Sequence, residues 1–268
     1  MDEITVRSWS ELQDLIFAES WQESMGRFRS PLAFRGGADA GAELKSGLLK
    51  LGGAPSRQEG HLLRNFRKYA HRDAVPGDSI WNWLALGQHH GLPTRLLDWS
   101  FSPYVALHFA TDDTDRYGVD GVLWCIDYLR IHERLPRPLK DLLEREGSNV
   151  FTAEMLHQVA PTLERFDALS QEPFVLFLEP PSLDDRIVNQ FALFSLISNP
   201  EIRLDRWLLE RPGLCRRVVL PAGLKWEVRD KLDQANITER VLFPGLDGLS
   251  RWLKRYYTPT RDPGRGRP

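Results

Sequence analysis

Residues 87–111, GQHHGLPTRLLDWSFSPYVALHFAT, form the stretch from which the fold is predicted. Two adjacent histidines lead into a Gly-Leu-Pro turn, a short strand-like segment at 94–99 and the start of a helix. Ser102 suits the helix N-cap position. Pro103 suits the first helical position, because the N–H of that residue has no partner within a helix in any case. The stretch therefore predicts a strand–turn–helix unit.

The predicted helix has one small face, at Ala106 and Ala110, which is suited to close packing. Polar residues fall at the ends of the predicted elements: Gln88, His89, His90, Arg95, Asp98 and Ser100. Binding and catalytic residues concentrate at such loop positions on a rigid scaffold. A purely structural interpretation is the alternative. In that interpretation Asp98 and Ser100 only cap the helix, and Arg95 pairs with Asp98.

The composition is that of a folded protein, with 42% hydrophobic and 27% charged residues among 268. The net charge of −2 and a pI near 6.4 argue against a general nucleic-acid-binding surface, although they leave room for a local basic groove. Cys125 and Cys215 each lie in an apolar run, which predicts buried thiols in a reducing compartment. There is no apolar leader and no apolar run of ~18 residues, so the prediction is a cytoplasmic protein without a membrane partner.

Helix-like patterns come early in the chain and strand-like patterns come later, which favours an α+β fold. We predict a single domain at 1–257, with a helical N-terminal part at about 1–92. The rest mixes strands and helices and includes a helical insertion at about 128–170. The Pro-, Arg- and Gly-rich end, 258–268, is predicted to be a disordered tail.

Capping patterns and apolar periodicity predict the individual elements. Ser8 and Glu11 form a capping box for a helix that ends near Gly26, and Ser56 and Glu59 form a second box. The other predicted elements are an apolar strand at 31–34 running into Arg35, a helix from Asp78 or Ser79, strands at 121–127, 174–178, 186–197, 215–220 and 237–243, and helices at 223–235 and 249–256.

Two polar features stand in apolar surroundings. Arg35 is predicted to end its strand and is followed by two glycines. Arginine binds phosphate with two parallel hydrogen bonds and glycine lets a ligand approach the backbone, so this pattern suits an anionic ligand. A salt bridge at the strand end would explain the arginine without one. Asn189 and Gln190 lie inside the predicted strand 186–197 and need partners if buried, which backbone groups could supply.

Signatures of nucleotide-binding loops, zinc proteases and serine hydrolases are absent. His89 and His90 could ligate a metal, but no further ligands are identifiable, so no metal is predicted. Glu179 is expected in a turn and Glu239 on the surface. A basic helix face could contact phosphates, although a solvated face is the simpler interpretation. Its residues are Arg64, Arg67, Lys68 and Arg72.

Four stretches resemble the FRG-domain family, which is named for its Phe-Arg-Gly motif. They are Phe34-Arg35-Gly36, GQHHGLPTRLLDWSFSPYVALHFA, RIVNQFALF and ITERVLFPGLDGL, and the resemblance covers about residues 30–255. The family is bacterial and phage-associated. The resemblance therefore implies a toxin or phage-defence effector with an antitoxin or defence-system partner.

A more distant resemblance is to ADP-ribosyltransferases of the Arg–Ser–Glu type. These have an arginine in an aromatic-Arg-Gly context, then a Ser-Thr-Ser strand before a V-A-x-x-F-A helix, and a late strand with the catalytic glutamate. Phe34-Arg35-Gly36 matches the first element, and 97–110 matches the second. Asn189-Gln190 falls where the glutamate should lie. The implied fold is a split β-sheet that clasps NAD in a central cleft.

By this resemblance, Arg35 would hold the phosphates or nicotinamide ribose of NAD, Ser100 or Asp98 would orient the catalytic end, and Gln190 would occupy the glutamate position. Glutamine brings no negative charge to stabilise the ribose as nicotinamide leaves, which could cost on the order of 10²–10³ in rate. Asp98 could restore that charge. One of the two histidines could act as a base for the acceptor.

The catalytic residues implied are Arg35, Asp98, Gln190, His89 and His90. The NAD-binding residues implied are Arg35, Gly36, Gln88, Arg95, Trp99, Ser100 and Asn189. The first predicted function is an NAD-using ADP-ribosyltransferase that modifies a protein or nucleic acid, or consumes NAD. Two alternatives remain open. A non-catalytic nucleotide-binding module is favoured by Gln190, and a nucleic-acid-acting enzyme is favoured by the histidines and the basic helix.

Overall fold

A computed structural model describes residues 1–70, 77–182 and 184–259. In these residues helices surround one large, mostly antiparallel sheet, which confirms the α+β prediction. The strands of the large sheet are β1 (Asp2–Thr5), β4 (Leu32–Gly37), β5 (Leu97–Ser100), β6 (Gly121–Asp127), β7 (Val175–Leu178), β8 (Ala192–Ile197) and β9 (Cys215–Leu220). A separate short ribbon is formed by β2 (Trp21–Gln22) and β3 (Arg27–Phe28).

The helices are α1 (Trp9–Phe17), α2 (Gly47–Lys50), α3 (Pro55–Ala70), α4 (Ile80–His89), α5 (Pro103–Thr111), α6 (Tyr128–His132), α7 (Arg137–Glu146), α8 (Ala153–Val159), α9 (Leu163–Asp167), α10 (Asp185–Asn189), α11 (Leu204–Leu209), α12 (Lys225–Gln234), α13 (Glu239–Leu242) and α14 (Leu246–Tyr256). The predicted helical insertion, 128–170, contains α6 to α9. No helix of the described residues is both long enough and apolar enough to span a bilayer.

The large sheet has the order β1-β9-β6-β4-β5-β8-β7. Only the β1–β9 pair is parallel among the strand pairs described. β4 and β5 meet at one position, where Phe34 lies opposite Ser100. From there β4 continues along β6 and β5 continues along β8. The two strands therefore diverge, and the sheet opens at its centre.

Helix α5 packs directly against β4 because Gly36 has no side chain. A Cβ atom on Gly36 would lie 1.7 Å from the carbonyl oxygen of Ala106 and 2.7 Å from the backbone nitrogen of Ala110. Ser102 caps α5 by accepting a hydrogen bond from the N–H of Val105, as the sequence predicts. The close approach at Gly36 places α5, the helix within the central sequence stretch, against the strand that carries Arg35.

A second layer of helices covers the other half of the sheet. Apolar residues of α3, α4 and α7 to α9 form one buried cluster with residues of β7 and β8. On the α5 side, α1 and α12 complete a cluster with β4, β6 and β9. A third buried cluster, which includes Ala33 of β4, Trp124 of β6, Trp99 of β5 and Phe177 of β7, joins the two halves of the sheet.

Several elements are confirmed to the residue. Strands β6 and β9 have the bounds predicted from their apolar runs, and both cysteines are buried free thiols. Ser79 holds the N-cap position of α4. For the two strands, each run was short, apolar and bounded by polar or turn residues, which is the pattern of a buried strand.

The predicted strand 186–197 is wrong in its first half. Asp184 accepts a hydrogen bond from the N–H of Ile187 and caps α10, so the chain is helical up to Asn189. Phe191 then adopts a positive φ of 47°, and β8 begins at the next residue. The predicted strand 237–243 is also wrong, because this segment forms α13. Apolar periodicity alone does not separate such short helices from strands.

Three N-terminal predictions are also corrected. The first helix ends at Phe17 rather than near Gly26, and the ribbon of β2 and β3 follows. The second capping box does not form, because α3 starts at Pro55 and Glu59 is buried inside it. Arg35 does not end its strand, since β4 continues to Gly37. Arg72 and the end of the predicted tail, 260–268, lie outside the described residues.

Candidate functional site

A cavity of about 310 Å³ lies where β4 and β5 diverge. It is bordered by β4, β5, the C-terminal end of α4, the N-terminal half of α5, α10 and the start of β8. Most of the residues predicted to be functional line it. They are Arg35, Gly36, Gln88, His89, Asp98, Trp99, Ser100 and Gln190.

Arg35 crosses the opening between the two strands. Its Nη1 donates a hydrogen bond to the backbone oxygen of Asp98 at 2.5 Å and lies 3.8 Å from the carboxylate Oδ2 of the same residue. Burial lowers the pKa of Arg35, and the nearby Asp98 charge opposes that shift. A guanidinium keeps its proton under these conditions and has five N–H donors. Arg35 therefore brings a permanent positive charge with unused donors into the cavity.

Asp98 is held by an amide that is itself fixed. Gln88 Nε2 donates to both carboxylate oxygens of Asp98 at 3.0 Å, while Gln88 Oε1 accepts from Thr94 Oγ1 at 2.6 Å. The Asp98 side chain is still 61% exposed. The arrangement orients a carboxylate toward the cavity without removing it from solvent.

His89 makes a hydrogen bond to a carboxylate at another wall of the cavity. Its Nε2 lies 2.8 Å from Asp184 Oδ2, and its side chain is 8% exposed. Burial acts to raise the pKa of Asp184. The hydrogen bonds from the N–H of Ile187 and from His89 outweigh burial, so the net pKa is lowered. Asp184 thus faces His89 as a carboxylate and caps α10 at the same time.

Arg186 is a second cation in the cavity, and the sequence reasoning missed it. Its guanidinium stacks on the Phe243 ring at 5.0 Å, and Nη1 donates to the backbone oxygen of His89 at 3.4 Å. Its Nε is buried without a hydrogen-bond partner. A buried donor left unpaired is costly, but Nε has almost no accessible surface, so a ligand would meet the terminal N–H groups of this guanidinium. Arg186 is the first residue of RIVNQFALF, and this position was the only sequence feature that could have indicated it as a site residue.

Trp99 and Ser100 use their polar atoms on the protein itself. Trp99 Nε1 donates to Ser195 Oγ at 2.8 Å. Ser100 Oγ donates to the backbone oxygen of Gln190 at 2.7 Å and accepts from the N–H of Ser102 at 2.9 Å. Both side chains are buried, so they fix the walls of the cavity.

Asn189 and Gln190 tie α10 to α13. Asn189 Nδ2 donates to the backbone oxygen of Val241 at 2.8 Å, and Gln190 Nε2 donates to that of Leu242 at 3.0 Å. Gln190 also lines the cavity, whereas Asn189 does not. Both side-chain amides therefore bond to backbone groups, which is the explanation without a ligand that the sequence left open.

Arg95 and His90 were predicted to act at the site but do not line the cavity, and Glu239 does not lie on the surface. Arg95 is buried and binds Glu59, with Nε to Oε2 at 2.8 Å, and Asp167, with Nη1 to Oδ1 at 2.5 Å. It joins α3, α9 and the approach to β5 and does not line the cavity. His90 is exposed at the end of α4. Glu239, expected on the surface, is buried against Arg255.

The cavity combines two guanidinium groups, one carboxylate and one imidazole among the described lining residues. No cluster of three or more His, Cys, Asp or Glu side chains in those parts of the chain is arranged to hold a metal. The basic residues Arg64, Arg67 and Lys68 lie on α3, away from the cavity lining. The charge distribution suits a ligand with both anionic groups and polar groups.

Comparison with known proteins identifies one family. The model of the FRG domain matches residues 30–118, a range that includes Phe34-Arg35-Gly36 and the whole of the central stretch. The later stretches that contribute Arg186 and Gln190 to the cavity lie outside the matched range. No curated protein and no solved structure matches the chain. The resemblance to the FRG-domain family is thereby confirmed for residues 30–118.

Proposed function

We propose that this cavity binds NAD and that the protein is an ADP-ribosyltransferase-like enzyme. The observation that carries the proposal is the meeting of Arg35, Arg186 and Asp98 in one cavity at the open centre of the sheet. NAD supplies a glycosidic bond to nicotinamide whose cleavage releases ADP-ribose for transfer to an acceptor.

The two guanidinium groups fit the diphosphate of a dinucleotide. Each lines the cavity and has terminal N–H donors without partners among the described residues. Charge-assisted hydrogen bonds to phosphate oxygens would satisfy these donors. A volume of about 310 Å³ lies at the lower end of small-molecule sites, so the cavity holds part of the dinucleotide and leaves the rest at its open side.

Asp98 would supply the negative charge at the reacting end. Positive charge develops on the ribose as nicotinamide leaves, and a carboxylate that is already oriented stabilises it without reorganising. Gln88 holds Asp98 in position through both carboxylate oxygens. Gln190, at the position expected for the glutamate, has its amide engaged with Leu242 and supports the wall.

A non-catalytic nucleotide-binding module is the second candidate. The observation in its favour is that Gln190 has no charge and donates its amide to the backbone of α13. Arg35 and Arg186 would bind the nucleotide in both functions. Only a measurement of nicotinamide release therefore distinguishes the enzyme from the non-catalytic module.

Calorimetric titration with NAD tests the binding step. We expect wild-type protein to bind, and Arg186→Gln to bind about 10- to 100-fold more weakly because a charge-assisted hydrogen bond is lost. Arg64→Gln is the matched control, since Arg64 is exposed on α3 and does not line the cavity. Absence of binding by wild-type protein, or equal losses in the two variants, would refute the proposed site.

A further inference from the structure

The His89–Asp184 pair adds chemistry that the proposed NAD site does not itself require. In the proposed function Arg35 and Arg186 hold the dinucleotide, and Asp98 stabilises charge on the ribose. His89 lines the same cavity with its side chain 8% exposed, and its Nε2 is 2.8 Å from Asp184 Oδ2. Among the described residues, no hydrogen bond is recorded for its second ring nitrogen, Nδ1.

Two elements hold this pair in place. Asp184 caps α10 through the N–H of Ile187 at 3.1 Å, and Arg186 Nη1 donates to the backbone oxygen of His89. The imidazole is thus fixed between the end of α4 and the start of α10. A carboxylate that accepts the N–H of one imidazole nitrogen leaves the other with its lone pair, which is the arrangement of a general base.

We infer that His89 is the general base that deprotonates the acceptor, that Asp184 positions it, and that the acceptor is a hydroxyl group. The inference rests on the proposed NAD-dependent transfer and names its second substrate. Water and the hydroxyl of a macromolecule share this chemistry.

The charges of the cavity select this acceptor class. A carboxylate acceptor is already ionised near neutral pH and has no proton for a base to remove. The lining carries two positive charges, Arg35 and Arg186, against the one negative charge of Asp98, so a lysine or arginine acceptor would be repelled on balance. A hydroxyl is neutral and needs a base, because its own proton leaves only as the new bond forms.

The proton and electron balance of the transfer is complete without a further reactant. The bond between ribose C1′ and the nicotinamide nitrogen breaks, and its electron pair goes to that nitrogen. A bond forms between the acceptor oxygen and C1′. The hydroxyl proton passes to His89 Nδ1 and from there to water.

The experiment measures nicotinamide release and the fate of ADP-ribose separately. The full chain is incubated with labelled NAD in water, in water containing methanol, and with whole-cell lysate. Free ADP-ribose reports water as the acceptor, the methyl product reports a small alcohol, and macromolecule-bound label reports a macromolecular hydroxyl. We expect transfer to hydroxyls to fall by about 10²–10⁴-fold in His89→Ala, the usual contribution of a general base.

Control variants separate the base from a structural tether. Asp184→Asn retains an N-cap side chain and an acceptor for His89, so we expect unchanged NAD binding and a lower kcat for transfer. Added imidazole should restore transfer in His89→Ala. His90→Gln should behave as wild type, because His90 is exposed and does not line the cavity.

A second readout does not depend on turnover. The nitrogen NMR signals of His89 should show the tautomer with the proton on Nε2 and the lone pair on Nδ1. An imidazolium protonated on both nitrogens would overturn the inference, since it has no lone pair to accept a proton.

The activity outcomes distinguish the two proposals. If nicotinamide release and hydroxyl transfer are both unchanged in His89→Ala, the base assignment is wrong while the NAD function stands. A product bond that hydroxylamine cleaves as an acyl ester would overturn the hydroxyl class. If wild-type protein binds NAD but releases no nicotinamide, the enzyme proposal fails and this inference fails with it.

Discussion

Gly36 acts through the volume that it leaves free for α5. The sequence suggested that glycines beside Arg35 admit a ligand to the backbone, but the Cβ position of Gly36 is occupied by the backbone of Ala106 and Ala110. We predict that Gly36→Ala lowers the free energy of unfolding by about 1–3 kcal/mol or more, because α5 must move away from β4. Urea unfolding curves measure this change.

Gly60→Ala is the matched control for that substitution. Gly60 is an exposed residue within α3, and a Cβ there meets nothing within 4 Å. Alanine in a helix interior is favoured over glycine by roughly 0.5–1 kcal/mol, so this variant should be more stable than wild type. Equal effects of the two substitutions would contradict the role assigned to Gly36.

Arg95 belongs to the fold rather than to the ligand site. It pairs with Glu59, and both side chains are almost fully buried. We predict that Arg95→Met destabilises the protein by about 3–5 kcal/mol, since Glu59 is left as an uncompensated buried charge. The double variant Arg95→Met with Glu59→Leu should recover part of that loss. If Arg95→Met instead abolished NAD binding at unchanged stability, the earlier assignment to the cofactor would be right.

At the scale of elements, α10 is attached to α13 by the amides of Asn189 and Gln190. We predict that Gln190→Glu does not increase nicotinamide release and lowers stability by about 1–3 kcal/mol, because a carboxylate would face the backbone oxygen of Leu242. Nicotinamide release and urea unfolding are measured on the same preparation. A gain in turnover would show that Gln190 occupies a catalytic glutamate position.

The sequence predicted elements well where one local signal decided them. Ser102 and Pro103 fixed the start of α5, and the short apolar runs of β6 and β9 fixed those strands. The run from Arg186 to Ile197 was misassigned because a cap at Asp184 and a positive φ at Phe191 divide it into a helix and a strand. Both features depend on the tertiary surroundings rather than on apolar spacing.

The candidate site was predictable where its residues adjoin the central stretch. Gln88, His89, Asp98 and Ser100 come together at the cavity because one continuous stretch, from the end of α4 through β5, carries them. Arg186 was not predictable, since its position depends on α10 folding back over the cavity. Arg95 was misassigned because its partners, Glu59 and Asp167, are distant in the chain.

At the scale of the whole molecule, two buried histidines link stability to pH. His132 Nε2 accepts from the N–H of Phe177 at 2.9 Å, and His108 Nδ1 accepts from Arg229 at 2.8 Å. Burial lowers the pKa of His132 from 6.5 to about 4 and, together with the Arg229 charge, lowers that of His108 to about 3. Both must stay neutral for the fold to keep these bonds.

Below pH 6.5 the unfolded chain binds these protons and the folded protein does not, so stability falls as the pH falls toward 4. We predict a loss of about 2 kcal/mol for each histidine between pH 6.5 and about 5. Urea unfolding across that range measures the slope. His132→Gln, which keeps an acceptor for Phe177, should give a shallower slope. An unchanged slope would show that His132 is not protonated on unfolding.

The open centre of the sheet is the feature that joins fold and function. β4 and β5 pair at one position. Beyond it the two strands separate, and the side chains of Arg35, Asp98 and Arg186 line the cavity that is left there. A sheet that stays open at its centre has lost ladder hydrogen bonds there, and Arg35 Nη1 supplies a partner for one freed backbone group, the oxygen of Asp98.

The proposal that the protein cleaves NAD with Asp98 as its carboxylate is tested most directly by the rate of nicotinamide release, measured for wild-type protein and for Asp98→Asn. Asparagine keeps the shape of Asp98 and removes its charge. We predict release by wild type and a loss of about 10²–10³-fold in Asp98→Asn, with NAD binding retained, because the carboxylate acts on charge that develops only as the bond breaks. No release by wild type, or equal release by both proteins, would contradict an enzyme whose carboxylate is Asp98.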